Sequence, residues 1–101
     1  MTTVKSTTVS PREVAESQQE HLLLDVRTPA EFAEIHIPGA RLHPLDELNP
    51  EKIREALEGK TCCVICRSGN RASQAAERLA AAGISGVVVM EGGMQAWEKE
   101  G

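Results

Sequence analysis

The chain has 101 residues, 41% hydrophobic and 26% charged, with 11 Lys and Arg against 15 Asp and Glu for a net charge of −4. This is the size and make-up of one globular domain over residues 1–101, which excludes disordered and low-complexity classes. The acidic balance and the presence of only two aromatic residues, Phe32 and Trp97, argue against a nucleic-acid-binding protein.

The first ten residues, MTTVKSTTVS, have no apolar stretch of the kind a secretory signal carries. Residues 7–9 are a weak strand candidate. Ser10-Pro11, Thr28-Pro29 and Asn49-Pro50 each place a capping side chain before a proline at the first helical position. Ser10 with Glu13 and Thr28 with Glu31 also have capping-box spacing. Helices are therefore expected to begin near residues 11, 29 and 50, the third stopping at Gly59. Ala72, Ala75, Ala76, Leu79 and Ala80 fall on one face of a fourth helix after residue 70, closed by Gly83. A short fifth helix with Met94 and Trp97 follows the Gly92-Gly93 turn.

The apolar runs at residues 22–26, 62–66 and 87–90 are too short for helices and lack period-two alternation, as expected of strands buried on both faces. Residues 40–43 are a weaker candidate. None of these runs approaches the roughly 18 residues of a membrane helix, so no membrane segment is expected. Strands alternating with helices predict an α/β fold: a central parallel sheet of about five strands with helices on both faces. Right-handed crossovers then gather the strand carboxyl ends, and any ligand, on one rim.

The three cysteines, Cys62, Cys63 and Cys66, lie within five residues. An odd, clustered set is a poor disulfide framework and fits a reducing, cytoplasmic setting. Cys62 and Cys63 fall inside the strand and read as core. Cys66 falls at its carboxyl end and runs into Arg67-Ser68-Gly69-Asn70-Arg71 and a helix start. Such a loop points backbone N–H groups at one spot, with the helix dipole behind them. No acidic residue stands between Glu58 and Glu77, whereas Lys60, Arg67 and Arg71 do. Cations and a helix N-terminus favour the thiolate, which is the nucleophile, and attract an anionic substrate. Cys63 and Cys66 also form a C-x-x-C pair, but on a strand they point to opposite faces and no second Cys/His pair at finger spacing exists, so no metal site is assigned. His21, His36 and His43 receive no ligand role.

Four segments together resemble the single-domain rhodanese (thiosulfate sulfurtransferase-like) family: Leu24-Asp25-Val26-Arg27 with Glu31-Phe32, His36-Ile37-Pro38-Gly39-Ala40, Cys66-Arg67-Ser68-Gly69-Asn70-Arg71, and Glu91-Gly92-Gly93 with Trp97. The resemblance covers nearly the whole chain. It departs at Ile35, where the family often has glycine. It implies a rhodanese-like three-layer fold and no cofactor. It also implies a ping-pong sulfur transfer: the Cys66 thiolate takes the outer sulfur of an anionic donor such as thiosulfate, then passes it to cyanide or a thiol, which a protein can carry. Arg67, Ser68, Gly69, Asn70 and Arg71 would hold the donor. Asp25 and Arg27 are expected as supports behind the loop, with Arg27 at pairing distance from Glu31. Two alternatives stand beside this reading. A cysteine-dependent phosphatase or arsenate reductase of this fold uses C-x-x-x-x-x-R, whereas residue 72 here is Ala and the only aspartates are Asp25 and Asp46. A slow persulfide carrier or regulatory module would keep the same loop.

Overall fold

The helix starts are set by local capping. In the computed structural model, which describes residues 7–67 and 70–100, Ser10 opens α1 (Pro11–Glu16) and Thr28 opens α2 (Pro29–Glu34), each with both hydrogen bonds of a capping box. Asn49 opens α3 (Pro50–Leu57) by accepting from the Glu51 and Lys52 N–H groups. These side chains satisfy N–H groups that the first helical turn leaves unpaired. α4 (Asn70–Ala81) ends at Gly83, with φ +90°, where the Ile84 N–H reaches back to the Leu79 carbonyl at 3.0 Å. This is the left-handed stop that glycine favours. α3 stops differently from the expectation: Glu58, not Gly59, takes the first left-handed position, with φ +48°.

The strands are β1 (Thr7–Val9), β2 (His21–Asp25), β3 (Arg41–Leu42), β4 (Thr61–Ile65) and β5 (Val88–Met90); α5 (Gly93–Glu100) follows. All pair in parallel in the order β1-β5-β4-β2-β3. The expected α/β architecture is therefore the observed one. Alternate side chains of each central strand serve opposite layers. Leu22, Leu24, Cys62 and Val64 pack with Ile53 of α3 and Ala72, Ala75, Ala76 and Leu79 of α4. Leu23, Cys63, Ile65 and Met90 pack with Val14 of α1 and Met94 of α5.

The strand order fixes where a ligand can sit. β2 leads outward to β3, and its connection places Ile37 in the second layer. β4 leads the other way to β5, through α4 in the first layer. The two connections part between β2 and β4, which opens a crevice beyond their carboxyl ends. The pairing ends at Asp25 opposite Ile65, one residue earlier than the apolar runs suggest. The Val26 N–H still reaches the Ile65 carbonyl at 2.9 Å, but Cys66 stands beyond the last rung.

Candidate active site

Cys66 is the first residue past β4, beyond the carboxyl ends of the paired strands; it is 1% exposed and belongs to the apolar cluster of the first layer. Its position is held through its backbone. The Cys66 carbonyl accepts from the Met94 N–H at 2.7 Å, and the Arg67 carbonyl accepts from the Gln95 N–H at 3.1 Å. The first turn of α5 thus spends two otherwise unpaired N–H groups on the start of the loop. Gly93 makes this approach possible. It has φ +58°, and a Cβ on it would lie 2.3 Å from the Cys66 carbonyl oxygen and 2.6 Å from the Arg67 carbonyl carbon. In the sequence Gly92-Gly93 signals only a turn; the backbone-to-backbone contact is what the second glycine serves.

The three thiols are not equivalent. Burial pushes the Cys62 and Cys63 thiols up to about 12, so at neutral pH both stay protonated, unreactive parts of opposite core layers. This agrees with their assignment to the core. Cys66 is the one cysteine standing past the strand, next to the loop.

Of the expected donor-binding residues, Ser68 and Gly69 lie outside the described residues. Arg67 and Asn70 are exposed beside Cys66 and at the start of α4. Arg71 is half-buried, and its two terminal nitrogens grip the two Glu31 oxygens at 2.8 and 2.9 Å. Arg71 is the second residue of α4, at the end of the loop that begins at Cys66. Glu31 belongs at the same time to the α2 cap, where its Oε1 accepts from the Thr28 N–H at 3.0 Å. One carboxylate therefore joins the start of α2 to the start of α4.

Asp25 and Arg27 form a buried fork. Arg27 Nε donates to Asp25 Oδ1 at 2.8 Å, Nη2 donates to Oδ2 at 2.6 Å, and the Arg27 N–H donates to Oδ1 at 3.1 Å. Arg27 Nη2 also donates to the Ile35 carbonyl at 2.7 Å. The pairing of Arg27 with the Glu31 side chain expected from sequence is replaced by this fork. Arg27 precedes α2 rather than lying on it, so four-residue helical spacing does not apply and its guanidinium folds back onto its own strand. The departure at Ile35 is also explained: its φ is −159°, extended backbone that any residue adopts. Removing one member of a fully buried pair strands the other charge, which typically costs about 3–5 kcal/mol. Arg27→Leu is expected to lower stability by roughly that amount, seen as a lower urea midpoint; an unchanged midpoint would show the fork to be dispensable.

The Arg71 contact, with burial opposing it, holds the Glu31 carboxyl at about 2, below its ordinary 4.5. A lowered carboxylate stabilises the fold above its ordinary value, and that stability drains as pH falls from about 4.5 to about 2. Solvent weakens this partly exposed pair, so the contribution is on the order of 1 kcal/mol. Urea midpoints between pH 5 and 3 should therefore fall less steeply in Glu31→Gln than in the parent. Parallel slopes would assign the acid sensitivity elsewhere.

Two clefts border these ion pairs. On the α5 side, a cleft of about 400 Å³ is lined by Glu31, Glu34, Ile35, Arg67, Gln95 and Glu98, among others. On the α4 side, one of about 280 Å³ is lined by Val26, Pro44, Leu45, Asp46, Arg71 and Arg78, among others. Arg27 borders both. Among the described residues, no cluster of His, Cys, Asp and Glu is placed to hold a metal, and no helix is long and apolar enough to cross a membrane.

The chain is 39% identical over 101 residues to an uncharacterized Synechocystis protein, taking in 98% of this chain and 56% of that one, so it spans little more than half of that relative. It is 36% identical over 89 residues to the thiosulfate sulfurtransferase GlpE of Pseudomonas syringae, covering 86% of this chain and 83% of GlpE. Its structure superposes on that of a rhodanese-related protein from Thermoplasma volcanium with a TM-score of 0.83 at 34% identity, over 94% and 93% of the two chains. Residues 10–100 match the Rhodanese-like domain, and the chain belongs to that family.

Proposed function

We propose that residues 1–101 act as one sulfurtransferase domain that carries a sulfane sulfur on Cys66. The observation that carries this reading is the setting of Cys66: beyond the last rung of β4, at the point where the β2 and β4 connections diverge, with its carbonyl clamped to α5. The GlpE likeness supports thiosulfate as a donor. In the first half-reaction the Cys66 thiolate attacks the outer sulfur of thiosulfate. An S–S bond forms to Cys66, the donor's S–S bond breaks, and sulfite leaves with the electron pair, so a persulfide anion remains. The loop amides of residues 67–71 and the Ser68 hydroxyl would hold the negative sulfur, as an oxyanion hole holds its oxygen. Arg67, exposed beside Cys66, meets the donor's oxygens. Arg71, held by Glu31, supplies a fixed positive charge behind the loop. In the second half-reaction cyanide or a thiol, free or carried by a protein, takes the outer sulfur and releases the Cys66 thiolate. Nothing in this sequence of steps calls for a metal or organic cofactor, and its thiol chemistry suits the cytoplasm.

Intact-mass spectrometry after thiosulfate treatment tests this directly. The expected product is heavier by one sulfur atom, mapped to the Cys66 peptide and removed by cyanide. No added sulfur, or sulfur on Cys62 or Cys63, would overturn it. Turnover of an aryl phosphate without sulfur loading would favour the phosphatase chemistry instead.

A further inference from the structure

We infer that the cleft on the α4 side is a subsite for the acceptor, and that it selects a small organic thiol carrying a carboxylate. This rests on the sulfurtransferase reading and adds the acceptor's chemical class to it.

The cleft borders the carboxyl end of β2, beside the end of β4 that Cys66 follows. Val26, in its wall, follows the β2 residue paired with Ile65, so it neighbours Cys66 across the ends of β2 and β4. Arg71, also in its lining, is the second residue of α4, the helix into which the Cys66 loop runs. Val26, Pro44 and Leu45 give an apolar surface for a short carbon skeleton. The β3–α3 segment is fixed over it, since the Leu45 N–H donates to the Val26 carbonyl at 3.1 Å.

Charge sets the other end. Arg71 and Arg78 stand seven residues apart on α4, two helical turns, and so share a face. Both line the cleft. Glu31 occupies Arg71 and Asp25 occupies Arg27, which leaves Arg78 as the cation for a ligand. Arg78 is exposed, has no salt bridge among the described residues, and donates from Nη1 to the Leu45 carbonyl at 3.0 Å. That bond steadies the guanidinium at the rim and uses one of its five N–H groups. Long helical side chains lean toward the helix N-terminus, which for Arg78 is the Cys66 end. Asp46 is the opposing charge on the rim, and it rejects anions. The apolar lining therefore suits the carbon chain, Arg78 the carboxylate, and the Val26 side, nearest the end of β4, the thiol.

The transfer balances without a further reactant. The acceptor thiol gives its proton to the Cys66 persulfide anion or to solvent. Its sulfur bonds to the outer sulfur, the Cys66–S bond breaks, and Cys66 leaves as thiolate. The product is the acceptor's persulfide.

Mercaptopropionate and its neutral counterpart mercaptopropanol separate charge recognition from thiol reactivity. Each discharges sulfur-loaded protein, and the readout is the ratio of their kcat/KM values in each variant compared with the parent, so that intrinsic nucleophilicity cancels. Arg78→Gln should lower the preference for mercaptopropionate roughly three- to five-fold at low salt, with the effect shrinking as salt rises. Arg78→Lys, which keeps the charge, should retain most of the preference. Asp46→Asn should raise it, a gain that a merely structural disturbance would not give. A ratio unchanged in Arg78→Gln and Asp46→Asn, in protein that still loads sulfur from thiosulfate, overturns the subsite and leaves the sulfurtransferase reading standing. Protein that never loads sulfur fails that reading. The cleft is then judged by titrating nitrogen-labelled protein with mercaptopropionate, where shifts at the Arg78 side chain that are absent with mercaptopropanol support it and equal responses overturn it.

Discussion

Cys66→Ser is expected to reduce sulfur loading from thiosulfate to background while the protein remains folded. A serine hydroxyl is almost wholly protonated at neutral pH and its oxygen is a poor nucleophile toward sulfur, so the first half-reaction loses its attacking atom. The backbone contacts that hold residue 66 are kept in this variant, and a hydroxyl at this buried position costs about 1–3 kcal/mol, which the fold tolerates. Cys63→Ser should keep its loading. Cys63 is fully buried in the layer with Ile65 and Met90, so a hydroxyl there costs about 1–3 kcal/mol of stability. It lies within β4 rather than past its end, so loading at a temperature where the variant is folded should stay near the parent's. Urea melts and intact-mass assays on both variants check this contrast in loading. Full loading in Cys66→Ser, or equal loss in both variants, would replace the single-thiol chemistry with a dithiol one.

The same contrast shows what could be read from sequence. The caps at Ser10, Thr28 and Asn49 and the alanine face of α4 are local signals, carried by residues a few positions apart, and each is found where it was expected. The place of Cys66 was legible because a short apolar run followed by a glycine-bearing loop and a helix can be arranged in few ways. The side-chain partners were not legible. Arg67 and Arg71 look alike in the sequence, but one is exposed and the other is held by a carboxylate 40 positions away. Spacing alone paired Arg27 with Glu31, whereas the packing gives Asp25 to Arg27 and Glu31 to Arg71. Such choices depend on which helices meet across the rim, and no local rule states that. The double glycine likewise signals a turn, while the approach of α5 to Cys66 is a long-range fact.

Gly93→Ala therefore tests the part of the site that only the structure shows, and its expected effect is large for two separable reasons. The first is conformational: at φ +58° an L-residue is disfavoured by about 1–2 kcal/mol. The second is steric. A Cβ 2.3 Å from the Cys66 carbonyl oxygen meets backbone rather than a flexible side chain, so α5 and the loop must separate by about 1 Å to restore ordinary contact. That movement strains or breaks the Met94–Cys66 and Gln95–Arg67 hydrogen bonds, each worth about 1 kcal/mol. A total loss of about 3 kcal/mol in stability is expected. A displacement of this size at the nucleophile can lower the rate of sulfur loading by about 100-fold. Gly59→Ala separates the two causes. Gly59 has φ +83°, and a Cβ there would meet nothing within 4 Å, so it incurs the conformational cost without the collision and lies outside the loop. Urea melts and loading rates for the two variants should show a modest stability loss with near-parental loading in Gly59→Ala, and the larger loss with slow loading in Gly93→Ala. If Gly93→Ala loads sulfur as fast as Gly59→Ala, the clamp from α5 is not what places Cys66.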